Sequence, residues 1–291
     1  MLRNTEVHFS GETTLDNGLT VGAHIEGRAD NEADGFDIDE SYAYFSGSWG
    51  RVNVGTEDGA AYLLQVAAPS ADSNVDGIRQ YIQPVNYALS SVSMTPAVGA
   101  TAAGTAATAL TGPTVAGTFA GGLGYIFNTD GLDYDNDLTS DADKLTYLSP
   151  VFNGFQFGGS YTFDMGTPDL YTANSISRSL GGVSEDGISN SYGSAYELAG
   201  RYEGQFDEVS FAVGAGYTDV ELERDPGTTT IDDFSEWNFG LDLDWGAFGL
   251  GFVWTESNNG QDTLDEDETF VLGLDYTTGS FKYGASFLHH E

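Results

Sequence analysis

The chain has 291 residues, with 9 lysines and arginines against 45 aspartates and glutamates, a formal net charge of -36. That balance excludes nucleic acid as a partner, because phosphate binding needs a basic footprint. The absence of cysteine excludes disulfides and thiol chemistry, and no run of roughly 18 or more strongly apolar residues offers a membrane-crossing helix.

From the N-terminus onward, apolar and polar residues alternate with period two, which predicts about twelve strands in one domain. They run 4–14, 19–28, 39–48, 51–57, 143–150, 154–164, 193–203, 207–219, 233–245, 248–256, 267–277 and 280–290. The first pair is closed by Leu15-Asp16-Asn17-Gly18. Later tight turns read Trp49-Gly50, Phe152-Asn153-Gly154, Glu203-Gly204-Gln205, Gly246-Ala247 and Thr278-Gly279. Between them lie longer connections at 29–38, 57–142, 165–192, 219–232 and 257–266, so short and long links take turns along the chain. A soluble sandwich has no reason to gather its long loops at one end. A sheet whose rims face different compartments does, and the outer-membrane β-barrel is the common case.

The two faces of the strands support that reading. Phe155, Phe157, Gly159, Tyr161 and Phe163 oppose Gln156, Gly158, Ser160, Thr162 and Asp164. Trp237, Phe239, Leu241, Leu243 and Trp245 oppose Asn238, Gly240, Asp242 and Asp244. Aromatics gather near strand ends, as in the girdles at lipid–water interfaces. The opposite faces are polar or glycine, which suits the wall of a water-filled lumen. Only 39–48 is ambiguous, because Tyr42, Ala43, Tyr44 and Phe45 make both faces apolar.

Among the connections, 57–142 stands out. Gly59 to Val66 reads as a short helix pinning the loop to the wall, and Thr95 to Phe127 is an insertion of Ala, Gly and Thr. Acids crowd the loops, and Asp130, Asp133, Asp135 and Asp137 are a candidate calcium site, since oxygen-rich loops suit that ion. Their spacing is not that of an EF-hand. His8 and His24 approach across the first hairpin, yet with Glu6 and Glu26 they match no recognised zinc spacing. No G-x-S-x-G, H-E-x-x-H or P-loop occurs, so an enzyme is not expected. The competing reading is a soluble or surface-attached β-rich adhesin that stacks sugars on exposed Trp and Tyr.

Three stretches carry a family resemblance: Glu6-Val7-His8-Phe9-Ser10-Gly11 through Leu15-Asp16-Asn17-Gly18-Leu19-Thr20-Val21-Gly22; Gly50-Arg51-Val52-Asn53-Val54-Gly55 with Glu57-Asp58-Gly59-Ala60-Ala61; and Tyr147-Leu148-Ser149-Pro150-Val151-Phe152-Asn153-Gly154-Phe155 with Ser160-Tyr161-Thr162. In order and spacing they resemble the general diffusion porins of alphaproteobacteria. The resemblance implies an all-β, antiparallel transmembrane barrel of sixteen strands in the outer membrane, usually a homotrimer, with a long third loop folded into the lumen. On that pattern 57–142 is the constriction loop. The first strand and about three at the end are expected to be missing, and Met1-Leu2-Arg3-Asn4 leads straight into a strand pattern, as expected if a signal has been removed or the chain is a fragment.

By alternation His8, His24, Arg28, Arg51, Lys144 and Arg201 fall on lumen faces, together with Glu6, Glu12, Glu26 and Glu197, so local pairing is an open alternative. The resemblance implies that this basic wall faces acids of the third loop, here Glu57, Asp58, Asp72 and Asp76. The expected function is passive diffusion of small hydrophilic solutes without a cofactor, with a mild preference for cations set by the acidic lumen and rim.

Overall fold

Turn chemistry fixes the hairpins of this chain. A computed structural model describes residues 6–31, 35–67, 134–165, 192–223, 232–258, 260 and 266–290. The strands are β1 (Glu6–Thr14), β2 (Thr20–Asn31), β3 (Gly35–Gly47), β4 (Gly50–Thr56), β5 (Asp143–Leu148), β6 (Phe155–Thr162), β7 (Tyr192–Phe206), β8 (Val209–Leu222), β9 (Phe234–Trp245), β10 (Phe248–Ser257), β11 (Asp267–Thr278) and β12 (Phe281–His290). One short helix, α1 (Ala60–Leu63), follows β4. At Asn153-Gly154 both residues take positive φ (49° and 89°), and Phe152 and Phe155 exchange two backbone hydrogen bonds. This is the primed turn that matches the twist of the flanking strands.

Each strand pairs antiparallel with its neighbours in sequence, giving one twelve-stranded sheet in the order β1 to β12. Among the described residues β1 and β12 do not pair with each other, so the sheet is not closed.

Three local expectations shift. The turn expected at Glu203-Gly204-Gln205 lies at Asp207 instead, with β7 paired through Phe206. Asp207 takes the positive φ of 55°, which a short polar side chain tolerates. Gly204 stays in the strand, where a Cβ would meet the Phe211 ring at 2.7 Å. The connection expected at 29–38 narrows to 32–34, because β2 and β3 keep pairing to Asn31 and Gly35 through two register shifts. The ambiguous strand also resolves. Tyr42 and Tyr44 lie with Arg51, while Phe45 is exposed on the opposite face.

The outer face is apolar and exposed. Phe155, Tyr202 and Phe211 form a row toward the short turns, with Tyr161, Tyr196 and Tyr217 six residues along β6, β7 and β8, about 20 Å at ~3.4 Å per residue. Cross-strand register aligns them: Phe155 faces Tyr202, and Tyr161 faces Tyr196. Tyr217 packs on Trp237 at 4.3 Å between ring centroids. Leu198, Leu250, Leu272 and Leu274 are exposed on the same face. Water does not tolerate an apolar band of this extent, whereas a bilayer requires one.

The inner face carries the buried residues. One cluster joins Leu138 to Tyr192, Ala195, Val220 and Phe234. A second joins Tyr134 to Val253 on β10 and Val271 on β11. Both contain residues of the long β4–β5 connection, so its described ends lie against the inner face.

Candidate functional site

The site is built by the two described limbs of that connection, residues 57–67 and 134–142. The outgoing limb runs across β6 to β9 over a track of glycines. An added Cβ would fall 3.2 Å from Leu64 Cδ1 at Gly158, 3.2 Å from the Leu64 carbonyl at Gly214, 3.3 Å from Ala61 Cα at Gly216 and 2.0 Å from the Val66 carbonyl at Gly240. At Gly240 backbone meets backbone, the close approach that requires glycine, while at the other three the limb passes within 3.2–3.3 Å of the missing side chain.

Polar inner-face residues then hold the limbs. Glu197 on β7, 2% exposed, accepts from Ala61 N at 3.0 Å and from Thr139 Oγ1, so one carboxylate ties both limbs to the wall. Ser160 Oγ accepts from Ala60 N at 2.8 Å. Gln65 joins limb to limb, donating to the Tyr134 carbonyl at 2.8 Å and accepting from Asn136 N at 2.9 Å. Thr218 on β8 donates to Asn136 Oδ1 at 2.5 Å. Buried polar groups need partners, and here satisfying them fixes the loop.

The base of the loop gathers charge. Lys144, expected on the basic wall, lies on the inner face but is wholly buried, donating to the carbonyls of Glu57 and Ser140. Arg51 lies 3.9 Å over the Tyr44 ring and donates through Nε to Asn53 Oδ1 at 2.6 Å. Asn53 donates in turn to Glu57 Oε2 at 2.6 Å, so Arg51 and Glu57 communicate through an amide. Burial pushes the Glu57 carboxyl up, opposed by hydrogen bonds from Asn53 and Thr146 and by the charges of Lys144 and Arg51. Oxygens of Glu40, Asp58 and Asp141 lie within 4.8 Å of one another. Burial and the neighbouring Asp58 and Asp39 push Asp141 up to about 7.

The other expected bases are also accounted for. Arg28 pairs with Asp39 at 2.6 Å, rather than with Glu26. Arg201 pairs with Glu203 at 2.6 Å and donates to the Gln65 carbonyl at 3.2 Å. His8 on β1 meets Glu26 across the β1–β2 hairpin, and His24, two residues before Glu26 on β2, lies beside the same carboxylate. Of the expected loop acids, Glu57 and Asp58 sit at the loop base, whereas Asp72 and Asp76 lie outside the described residues. In the calcium candidate, Asp135 is on the returning limb and buried and Asp137 is close by on that limb; Asp130 and Asp133 lie outside the described residues.

Sequence reasoning passed over Gln65, Asn136, Thr139 and the glycine track. A signal was present in the track: Gly158, Gly214, Gly216 and Gly240 occupy inner-face positions of three strands, where a lumen wall needs side chains unless something else covers it.

No curated protein matches the sequence at a significant level. Among solved structures, the anion-selective porin from Comamonas acidovorans is 15% identical with a TM-score of 0.51, the match covering 99% of this chain and 68% of that one. A porin structure refined at 1.8 Å resolution is 16% identical with a TM-score of 0.52, covering 97% and 75%. At such identities the likeness concerns the fold. The family model for Gram-negative porins matches residues 1–291, and with an apolar outer face and the described limbs of the long connection held against the inner one, this chain belongs to the Gram-negative porins, channel-forming β-barrel proteins of the outer membrane.

Proposed function

We propose that the channel passes small hydrophilic solutes and ions by passive diffusion with a mild preference for cations, working as a homotrimer. The observation that carries the selectivity is the state of the inner-face cations. Arg28 is offset by Asp39, Arg201 by Glu203 and Lys282 by Asp275 at 3.0 Å, while Lys144 is spent on loop carbonyls. Among the described residues Arg51 lies over the Tyr44 ring and is linked to Glu57 through Asn53. Asp242 and Asp244 on β9 add further carboxylates to the same face. A net negative wall in a narrow aqueous passage focuses potential and enriches cations. The loop limbs and the basic residues of β1, β2 and β4 line the constriction in this reading. The Comamonas protein is anion-selective by its description, and at 15% identity that property does not travel with the fold.

Reversal potential across a planar bilayer under a potassium chloride gradient tests the reading. A value on the cation side is expected, and an anion-side value would overturn it. Cross-linking in mild detergent should give a ladder ending at three subunits; a monomer alone would remove the trimer.

A further inference from the structure

We propose that His8, His24 and Glu26 form a binding site for a divalent transition cation of the zinc class on the inner face of the β1–β2 hairpin. The hairpin register sets His8 opposite Glu26 and Ser10 opposite His24, so the two imidazoles lie diagonally across the ladder on one face, with the Glu26 carboxylate in contact with both. Across an antiparallel ladder, directly opposed and diagonal residues are within reach of each other. Their ligand atoms form a compact triangle: His8 Nδ1 is 3.0 Å from Glu26 Oε2 and 3.4 Å from His24 Nε2, and His24 Nε2 is 3.8 Å from Glu26 Oε2. Zinc bonds of about 2.0–2.1 Å set at the tetrahedral angle put ligand atoms about 3.3–3.4 Å apart. The observed edges bracket that length, so small side-chain rotations close three bonds on one ion.

The surroundings meet two further requirements. His24 has a partner for its other nitrogen, as ligating histidines do, with Ser10 Oγ 2.7 Å from Nδ1, and the Glu6 carboxylate lies near the other nitrogen of His8, 3.6 Å from Nε2. The Tyr42 ring flanks His24 with 5.3 Å between ring centroids. His8 has about half its side chain exposed (48%), which leaves an approach for the ion and a fourth position for water. Two imidazoles and one carboxylate favour zinc, cobalt, nickel or copper over calcium and magnesium, which take oxygen ligands. Carboxylate oxygens of Glu6, Glu26 and Asp39 lie within 4.8 Å of one another, a concentration of negative charge that attracts a dication.

Isothermal titration of zinc chloride into the detergent-solubilised protein tests the site, in a background carrying His289→Gln and His290→Gln to remove the terminal imidazoles. One zinc per chain is expected. Affinity should fall more than roughly 10-fold on Ser10→Ala, which leaves every ligand in place, and further on His24→Gln or His8→Gln, with strand content by circular dichroism confirming folded protein. Absence of stoichiometric binding, or equal affinity in folded wild-type and both histidine variants, would overturn the proposal. The effect on transport rests on the reading of this face as the channel wall. Zinc should therefore lower single-channel conductance, and a chelator should restore it. Stoichiometric zinc binding with unaltered conductance would uphold the site and count against that reading of the wall.

Discussion

The carbonyl oxygen of Val66 occupies the place where a side chain at residue 240 would begin, 2.0 Å from an ideal Cβ on Gly240. Backbone meets backbone there, so neither side gives way by a rotamer change. Gly240→Ala is expected to lift the outgoing limb off β9 and change single-channel conductance. Gly11→Ala is the control, because nothing lies within 4 Å of its Cβ. Equal conductance in the two variants would show that the limb does not set the passage.

Glu197 is the tie between limbs and wall. Truncation to alanine strands Ala61 N and Thr139 Oγ1, both buried, and a buried polar group left unpaired costs roughly 1–3 kcal/mol. Glu197→Ala should lower the thermal midpoint and quicken proteolysis within 57–142. Glu197→Gln keeps a single acceptor oxygen and should fall between the two. A protease-resistance profile identical to wild type in the alanine variant would remove this role.

The fold was largely legible because a lipid-facing strand leaves little freedom: one face must be apolar, and turns must be short where strands reverse tightly. The strands follow that pattern, with β3, apolar on both faces over Tyr42–Phe45, as the exception. The displaced features have local physical causes. Gly204 has the appearance of a turn residue but makes room for the Phe211 ring, and Asp207 adopts the turn conformation in its stead. The ligand triangle at His8, His24 and Glu26 is invisible to spacing rules because a hairpin register, rather than a fixed interval along one segment, assembles it. The loop anchors were hidden for a related reason. Gln65 and Asn136 are 71 residues apart, and nothing local to either announces the other.

Asp141 gives the loop base a pH dependence. Its folded-state value of about 7 lies above the ordinary 3.8, so the folded state binds this proton more tightly than the unfolded chain does. The sign follows from linkage: stability is highest at low pH as far as this group is concerned, declines as pH rises from 3.8 to about 7, and is level above that. The cause is burial first, then the charges of Asp58 and Asp39, with Lys144 opposing. Asp141→Asn should therefore raise the thermal midpoint at pH 8 and change it little at pH 4. A variant less stable than wild type at pH 8 would contradict the assignment.

The two arginines of the early strands differ in how much charge they present to the passage. Arg28 is bound to Asp39 at 2.6 Å, so its charge is already offset and removing it alone uncovers that of the acid. Arg51 contacts a ring face and an amide, neither of which carries a formal charge to cancel it. Opposing charges in close contact present little net field at a distance, whereas an uncancelled charge acts over roughly 8–10 Å at ordinary salt. Arg51→Ala should shift the reversal potential further toward cations and raise conductance. Arg28→Ala together with Asp39→Asn should move it little, since the pair contributes no net charge. The comparison is made in one bilayer at one salt gradient. A larger shift from the neutralised pair than from Arg51→Ala would place the dominant positive charge at the β2–β3 side of the wall instead.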